Sequence, residues 1–273
     1  MDKYIIVPWD FTINAENALL HAIQLSKVAE ARILLLHIVN KKFFSKNKEL
    51  ISRSKIAEKK LKDVAKEIFK KHKIMPETIV HVDKLYKSIK QIELSINANL
   101  IVMGPNYLEN KKTYKMNSFF SALKDIKTPF ITVKTSPSHD YYKEIVFPLD
   151  SDKKFKETLH WIIFLSKHYK CNVNIIKPYL TDQFKKQDMV NNIYFTKKIL
   201  DKKNIIYGIK TAKKNKPFKE EIFKFASDID SDLIVMMSKK FNDYVLHNKK
   251  DMGKTPVMSI NRRSDLIKYS GFS

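Results

Sequence analysis

The sequence has little cysteine, little arginine and no long apolar run. Its single cysteine, Cys171, cannot form a disulfide within the chain, which favours a reducing, cytoplasmic setting. No stretch approaches the roughly 20 apolar residues that a membrane span needs, and residues 1–8 show no secretory signal. We therefore expect a cytoplasmic protein with no membrane partner.

Lysine dominates the charge of the chain. Lysine and arginine together number 52 against 29 acidic residues, which gives a formal net charge of +23. The excess is spread almost equally over the two halves, and readout of base edges favours arginine over lysine. Sequence-specific binding to nucleic acid is therefore not expected. Non-specific attraction to polyanions remains an open function.

Two stretches of the chain repeat one another. The offset between the copies is 140 at their start and shrinks to 133 near the fourth apolar run. The best-matched pairs are Ile6–Asp10 with Val146–Asp150, and Asn99–Met103 with Asp232–Met236. The copies meet near Ser136–His139, a linker-like stretch. We predict domains at residues 1–138 and 139–262, followed by a C-terminal tail at 263–273.

Each copy alternates short apolar runs with apolar residues at helical spacing. In the first copy five runs predict strands: Ile5–Trp9, Ile33–Ile38, Thr78–Val82, Leu100–Met103 and Phe130–Val133. Four helices are expected between them, with Asn14 as the N-cap of the first and a short one near Ser118–Leu123. This alternation is typical of an α/β protein. The sequence thus predicts two tandem, open five-stranded parallel sheets with helices on both faces.

In their order and spacing, these features resemble the universal stress protein family. The residues that carry the resemblance are Ile6–Thr12, Leu36–Val39, Leu100–Gly104 and Thr128–Val133. The resemblance spans both copies and implies the adenine nucleotide alpha hydrolase-like fold. It also implies an internal pseudo-dimer of the two copies and is compatible with a further homodimer of chains. Some members of this family bind ATP or AMP, and few have an established reaction.

The resemblance also draws attention to a loop that is poor in glycine. ATP-binding members carry three glycines there, followed by serine or threonine; this chain has Gly104, Tyr107, Asn117 and Ser118 at those positions. Glycine lets the backbone adopt positive φ and bring N–H groups close to phosphate. If the two replacements cost about 2–4 kcal/mol, affinity falls roughly 30- to 1,000-fold. In the second copy Met237 replaces the first glycine and the loop is shorter, so we expect nucleotide binding there to be lost.

The resemblance implies a candidate nucleotide site at the carboxyl ends of the strands in the first copy. Its members are Pro8, Asp10, Val39, Met103, Gly104, Asn117 and Ser118. Asp10 has two interpretations: it contacts the adenosine part of a nucleotide, or it caps the helix that follows it. No metal ligands and no catalytic residues are predicted.

Several functions remain open at this point. The preferred one is a non-catalytic stress-response or regulatory protein with no required cofactor and an unidentified protein partner. The alternatives are an adenine-nucleotide binder that holds ATP or AMP in the first copy, where slow ATP hydrolysis stays open, and a polyanion-binding protein. Asp10, Asp83 and Lys134 also resemble the trio of a receiver domain, although the usual adjacent acidic pair is missing. We predict that His37 is a core histidine with its hydrogen bonds satisfied.

Overall fold

The computed structural model describes residues 2–40, 47–104, 126–245 and 254–261. The chain divides into two compact units, Met1–Ser136 and Pro137–Ser273. In each unit the described residues include five strands, all parallel to their neighbours within that unit.

The sheet of the first unit has the strand order β3-β2-β1-β4-β5. Its strands are β1 (Tyr4–Pro8), β2 (Arg32–Val39), β3 (Glu77–Val82), β4 (Leu100–Met103) and β5 (Phe130–Thr132). The central strand β1 pairs with two neighbours, since Ile6 lies opposite Leu34 of β2 and Ile101 of β4. The chain therefore moves outward from β1 to β3 and then returns to the other side of β1.

Three described helices connect these strands: α1 (Ile13–Ala29), α2 (Asn47–His72) and α3 (Leu85–Ile96). Each turns an apolar face inward and a polar face outward, as amphipathic helices of globular proteins do. Helix α1 and helix α3 both end at a residue in the left-handed conformation, Glu30 and Asn97 respectively. The helix predicted near Ser118–Leu123 lies outside the described residues.

The second unit repeats this topology, with the strand order β8-β7-β6-β9-β10. Its strands are β6 (Glu144–Pro148), β7 (Asn172–Lys177), β8 (Tyr207–Thr211), β9 (Leu233–Met237) and β10 (Val257–Ile260). Its described helices are α4 (Lys156–Tyr169), α5 (Gln183–Lys202), α6 (Phe218–Asp228) and α7 (Ser238–Val245).

Consecutive residues of the central strands are buried, which explains the continuous apolar runs in the sequence. Ile5–Val7, Leu34–Leu36 and Leu233–Met236 are almost fully buried at every position. A strand is buried in this way only when helices cover both faces of its sheet. Each such side chain contributes roughly 1.5–3 kcal/mol on burial. The predicted fold class is confirmed. Within the described residues, no helix is both long and apolar enough to cross a membrane.

Candidate functional site

The carboxyl ends of the parallel strands in the first unit lie at one edge of its sheet. The direction of strand addition reverses between β1 and β4, and ligands of open α/β sheets bind in the crevice outside such a point. Asp10 follows β1, and Gly104 follows β4 directly. Pro8 and Val39 are the last residues of the neighbouring strands β1 and β2. The fold thus brings most of the predicted site residues to this edge.

Asp10 builds the turn between β1 and α1. Its Oδ1 atom accepts hydrogen bonds from the backbone N–H of Thr12, at 3.2 Å, and from the Thr12 hydroxyl, at 2.5 Å. Phe11, between them, has a left-handed φ of 60°. The second copy repeats the same local bond, since Asp150 Oδ1 accepts from the N–H of Asp152 at 2.9 Å. Both aspartates therefore stabilise the turn before the next helix, although the N-cap residue of α1 is Thr12 and not Asp10.

His37, in β2, makes a hydrogen bond to the residue that follows β1. Its Nδ1 atom lies 2.7 Å from the carbonyl oxygen of Trp9. Because a carbonyl only accepts, the ring carries its proton on Nδ1 and donates it. The His37 ring also contacts the ring of Phe11, with centroids 4.9 Å apart. The predicted hydrogen bonding of this histidine is confirmed at Nδ1, although the side chain is only partly buried. Trp9 Nε1, in contrast, is buried and makes no hydrogen bond to any residue that the structure describes.

We expect the imidazole of His37 to titrate below the ordinary histidine pKa of 6.5. Burial lowers the pKa of His37, and this effect outweighs the opposing effects of the Trp9 carbonyl and Asp10. The folded protein then binds this proton more weakly than the unfolded chain does. Its contribution to the free energy of unfolding is therefore complete above the unfolded-state pKa of ~6.5 and is lost as the pH falls from there through the lower folded-state pKa. NMR titration tests this, with His37→Gln identifying the signal; a pKa at or above 6.5 would contradict it.

Gly104 lies against the first turn of α1. A Cβ atom added there would stand 2.8 Å from both the Cβ and the carbonyl oxygen of Asn14. The backbone directly after β4 thus lies so close to α1 that a residue with a Cβ atom does not fit at position 104 without a shift. This packing alone requires glycine at position 104, whether or not the loop that follows binds phosphate. Its φ is not in the left-handed region, so the requirement concerns space and not backbone conformation.

The remaining site residues fall into two groups. Pro8, Val39 and Met103 are buried and belong to the apolar core at this edge of the sheet. Asn117 and Ser118 lie outside the described residues. The phosphate half of the candidate site is therefore untested, and the nucleotide site as a whole stays a prediction.

In the second unit, an ion pair occupies the corresponding position. Nζ of Lys240 lies 2.7 Å from Oδ2 of Asp150, the counterpart of Asp10. The two side chains are only 13% and 24% exposed, respectively, so the pair is largely withdrawn from water. In addition, Asn192 donates from Nδ2 to the carbonyl oxygens of Asp150 and Asp152, at 2.7 and 3.2 Å. The chain's own residues thus satisfy the aspartate of this copy.

Helix α7 carries Lys240 to this position. It begins at Ser238, immediately after Met237, the last residue of β9 and the counterpart of Gly104. Phe241 in this helix is fully buried and anchors it to the core. Burial, followed by the charges of Asp150 and Asp243, raises the pKa of Tyr244 to about 12, so this phenol stays neutral at physiological pH. The edge of the second sheet is therefore covered by a helix in place of a glycine-rich loop.

The receiver-like trio is not assembled. Asp83 follows β3 and Lys134 follows β5, the two outermost strands of the first sheet. With about 4.8 Å between neighbouring strands, they lie roughly 19 Å apart, with Asp10 near the middle. Over the described part of the chain, no group of three or more histidine, cysteine or acidic side chains could hold a metal ion. This alternative is therefore wrong.

Together, the strand order, the aspartate turn after the first strand and the helix-covered parallel sheet define a doubly wound α/β protein of the adenine nucleotide alpha hydrolase-like fold. Residues 1–118 match the model of the universal stress protein family. The first copy therefore matches the universal stress protein family over most of its length, and the predicted resemblance is confirmed. The comparison with curated proteins gives no match.

Solved structures carry the same fold along the whole chain. A universal stress protein from Archaeoglobus fulgidus DSM 4304 is 17% identical and gives a TM-score of 0.74, covering 96% of this chain and 97% of its own. A functionally unknown protein from Pseudomonas aeruginosa PAO1 is 15% identical and gives a TM-score of 0.61, covering 94% of this chain and 92% of its own. At this level of identity the likeness shows the fold. The tandem arrangement of two such units is thus confirmed along the chain.

Sequence reasoning missed two contacts at these edges. Lys240 lies in a lysine-rich stretch that offers no signal for one particular lysine, and its partner Asp150 is 90 residues away in the chain. The contact of Gly104 with Asn14 also joins distant segments. A signal did exist for His37, because the pairing of Pro8 with Leu36 brings the next residues of both strands together.

Proposed function

We propose that the protein is a non-catalytic, cytoplasmic regulatory protein of universal stress type, with a degenerate nucleotide site in the first copy and a closed one in the second. It needs no bound cofactor in this role. It acts through contact with another protein, and pairing between chains is compatible with that role.

The ion pair between Lys240 and Asp150 is the observation that carries this proposal. A ligand that used Asp150 as the family's nucleotide binders use their aspartate would have to displace an ammonium group at 2.7 Å. It would leave Lys240, which is only 13% exposed, without its partner. Leaving a largely buried charge unpaired is costly, so the ligand would lose affinity by the same amount.

The first copy supports the proposal in a different way. Asp10 already accepts two hydrogen bonds from Thr12, which hold it in the turn before α1. The family's second and third loop glycines are replaced by Tyr107 and Asn117. Side chains at these two positions of the loop sequence would hinder the close approach of backbone N–H groups to phosphate.

Equilibrium dialysis of the full chain against ATP and AMP tests the proposal. We expect no binding at tens of micromolar nucleotide. The Asp10→Ala variant is the matched control, because any weak attraction to the lysine-rich surface should be the same in both proteins. Micromolar binding that is lost in Asp10→Ala would contradict the proposal and favour the adenine-nucleotide alternative in the first copy.

A second candidate function, polyanion binding, is favoured by the exposed face of α2. At about 100° per residue, six of its lysines fall within an arc of about 80°. All six are exposed: Lys48, Lys55, Lys59, Lys62, Lys66 and Lys70. None of this helix's acidic residues falls in that arc, although Lys66 reaches Asp63 at 3.6 Å. We call these six residues the lysine stripe.

We expect the lysine stripe to provide most of the binding to a short DNA duplex. Replacing Lys55, Lys59 and Lys62 by glutamine should reduce the slope of log affinity against log salt by about 2–3, because each lost phosphate contact removes about 0.9. Replacing Arg53, Lys60 and Lys71, on the other flank of the same helix, removes the same charge and should change the slope by less than about 1. Equal effects of the two triple variants would indicate general charge attraction only.

A further inference from the structure

The second unit contains a cavity far from Asp150. Its volume is about 620 Å³, within the range of about 300–1,000 Å³ that is usual for small-molecule sites. It lies at the amino-terminal edge of β7, between the last turns of α4 and the turn after α5. The lining residues are Ile163, Ser166, Lys167, Lys170, Cys171, Lys203, Asn204, Ile205 and Ile206. Asp150 follows β6 at the opposite edge of this parallel sheet, so the two places are distinct.

The floor of the cavity is apolar and uncharged. Ile163 and Ile205 contribute aliphatic surface, and Cys171 lies beneath with 3% of its surface exposed. Sγ of Cys171 is 3.3 Å from Oγ of Ser166. Burial raises the pKa of the Cys171 thiol to about 11, so the group stays neutral at physiological pH. This floor suits a hydrocarbon chain.

Three lysines form the rim of the cavity. Lys167, Lys170 and Lys203 are exposed, and no acidic side chain is among the residues that line it. The carboxylates of Glu144 and Asp232 lie close enough to act electrostatically on Cys171. Other residues of the chain donate hydrogen bonds to both carboxylates. Glu144 accepts from Asn172 and Asn174, and Asp232 accepts from the backbone N–H groups of residues 143 and 144 and contacts His139. Neither carboxylate lines the cavity, so its lining carries three positively charged side chains and no negatively charged one.

The mouth of the cavity is preformed. Ile206 is 72% exposed, yet its carbonyl oxygen accepts from the N–H of Val173, at 2.9 Å. The N–H of Ile205 donates to the carbonyl of Leu200, at 3.0 Å, and Asn204 has a left-handed φ of 53°. These bonds fix the turn after α5, so a ligand would not have to order it. A large aliphatic side chain is thus held in water beside three ammonium groups.

We propose that this cavity binds a small amphipathic carboxylate, such as a medium-chain fatty acid. Its hydrocarbon chain lies on the floor formed by Ile163, Ile205 and Cys171, and its carboxylate lies among the lysines of the rim. Lysine recognises a carboxylate as a point charge without the fixed fork of arginine, which suits an open rim. The inference concerns a different edge of the sheet and does not depend on the proposed function.

Calorimetric titration of the full chain with octanoate and with octan-1-ol tests this proposal. The two probes share a hydrocarbon chain and differ in the charge of the head group. We expect octanoate to bind at least tenfold more tightly than octanol. The double variant Lys167→Gln/Lys203→Gln should lose about tenfold in octanoate affinity. Lys185→Gln/Lys186→Gln, at the other end of α5, removes the same charge and should change nothing.

A second variant and the single thiol locate the binding. Ile206→Glu places a negative charge at the exposed mouth without disturbing the core, and it should abolish octanoate binding. Cys171 is the one cysteine of the chain, so alkylation reports on this cavity alone, and saturating octanoate should slow it. Equal affinities for the two probes, octanoate binding unchanged in Lys167→Gln/Lys203→Gln, or an unprotected thiol would each overturn the proposal. Absence of binding at millimolar octanoate would do so as well.

Discussion

Replacing Gly104 with alanine is expected to lower the free energy of unfolding by about 1–3 kcal/mol. The new methyl group would stand 2.8 Å from the carbonyl oxygen and the Cβ of Asn14. Because the neighbour is helix backbone, rotating a side chain cannot relieve the clash, and β4 must move away from α1. Urea unfolding measures the loss. Trp9 fluorescence in a Trp161→Phe background reports the first unit, since the chain has 2 tryptophans.

Gly208 offers a matched control for this substitution. It lies in β8, and a Cβ atom there would meet nothing within 4 Å. Alanine at this position should leave the stability unchanged or raise it by up to about 1 kcal/mol, because it restricts the unfolded chain. A loss at Gly104 no larger than the change at Gly208 would show that the close approach of β4 to α1 is not required.

The second large effect is expected from breaking the ion pair in the second unit. Lys240→Ala removes the ammonium partner of the Asp150 carboxylate, which is 24% exposed in the intact pair, and this should cost about 1–3 kcal/mol. The value lies between those of surface and fully buried pairs, since some water reaches both groups. Asp150→Ala should cost at least as much, because Lys240 is the more buried partner and Asp150 also holds the turn at Asp152.

A double-mutant cycle isolates the interaction between these two side chains. The double variant should cost less than the sum of the single ones by about 1 kcal/mol or more. Trp161 fluorescence in a Trp9→Phe background reports the second unit. The neighbouring Lys239, which is exposed, gives the control substitution and should change the stability by less than about 0.5 kcal/mol. Additive losses would mean that the pair does not close this edge of the sheet.

The strands and most helices of this fold could be predicted from local pattern. The apolar residues Leu85, Ile89, Ile92 and Ile96 recur with the helical period, and helix α3 extends over that whole range. Apolar residues also recur at helical intervals between Asn47 and Lys73, and this segment forms α2, which ends at His72. Parallel strands were visible as continuous apolar runs because helices bury both faces of the sheet.

Helix boundaries depended on chemistry that the local pattern does not contain. Asn14 was predicted as the N-cap of α1, but the cap is Thr12 and the helix begins at Ile13. The Thr12 hydroxyl donates to Asp10 and makes no cap bond, while its carbonyl accepts from the N–H groups of Ala15 and Glu16. The aspartate turn therefore shifts the start of the helix by about half a turn, and that prediction was wrong.

The candidate site was predictable only as a place. Topology brings Asp10 and Gly104 to the same edge once the strand order is known, and the strand order follows from the family resemblance. The side chains that complete each edge were not predictable, because Lys240 and Asn14 reach their partners through tertiary contacts. The helical character of α7 was also missed, since an eight-residue helix in a polar stretch gives a weak periodic signal.

Native mass spectrometry of the full chain, with excess ATP or AMP, tests most directly whether both nucleotide sites have been lost. We expect the mass of the bare polypeptide at nucleotide concentrations of tens of micromolar. One bound nucleotide that is lost in Asp10→Ala would contradict the degeneracy assigned to the first copy. Two bound nucleotides would contradict, in addition, the closure of the second copy by Lys240 and Asp150.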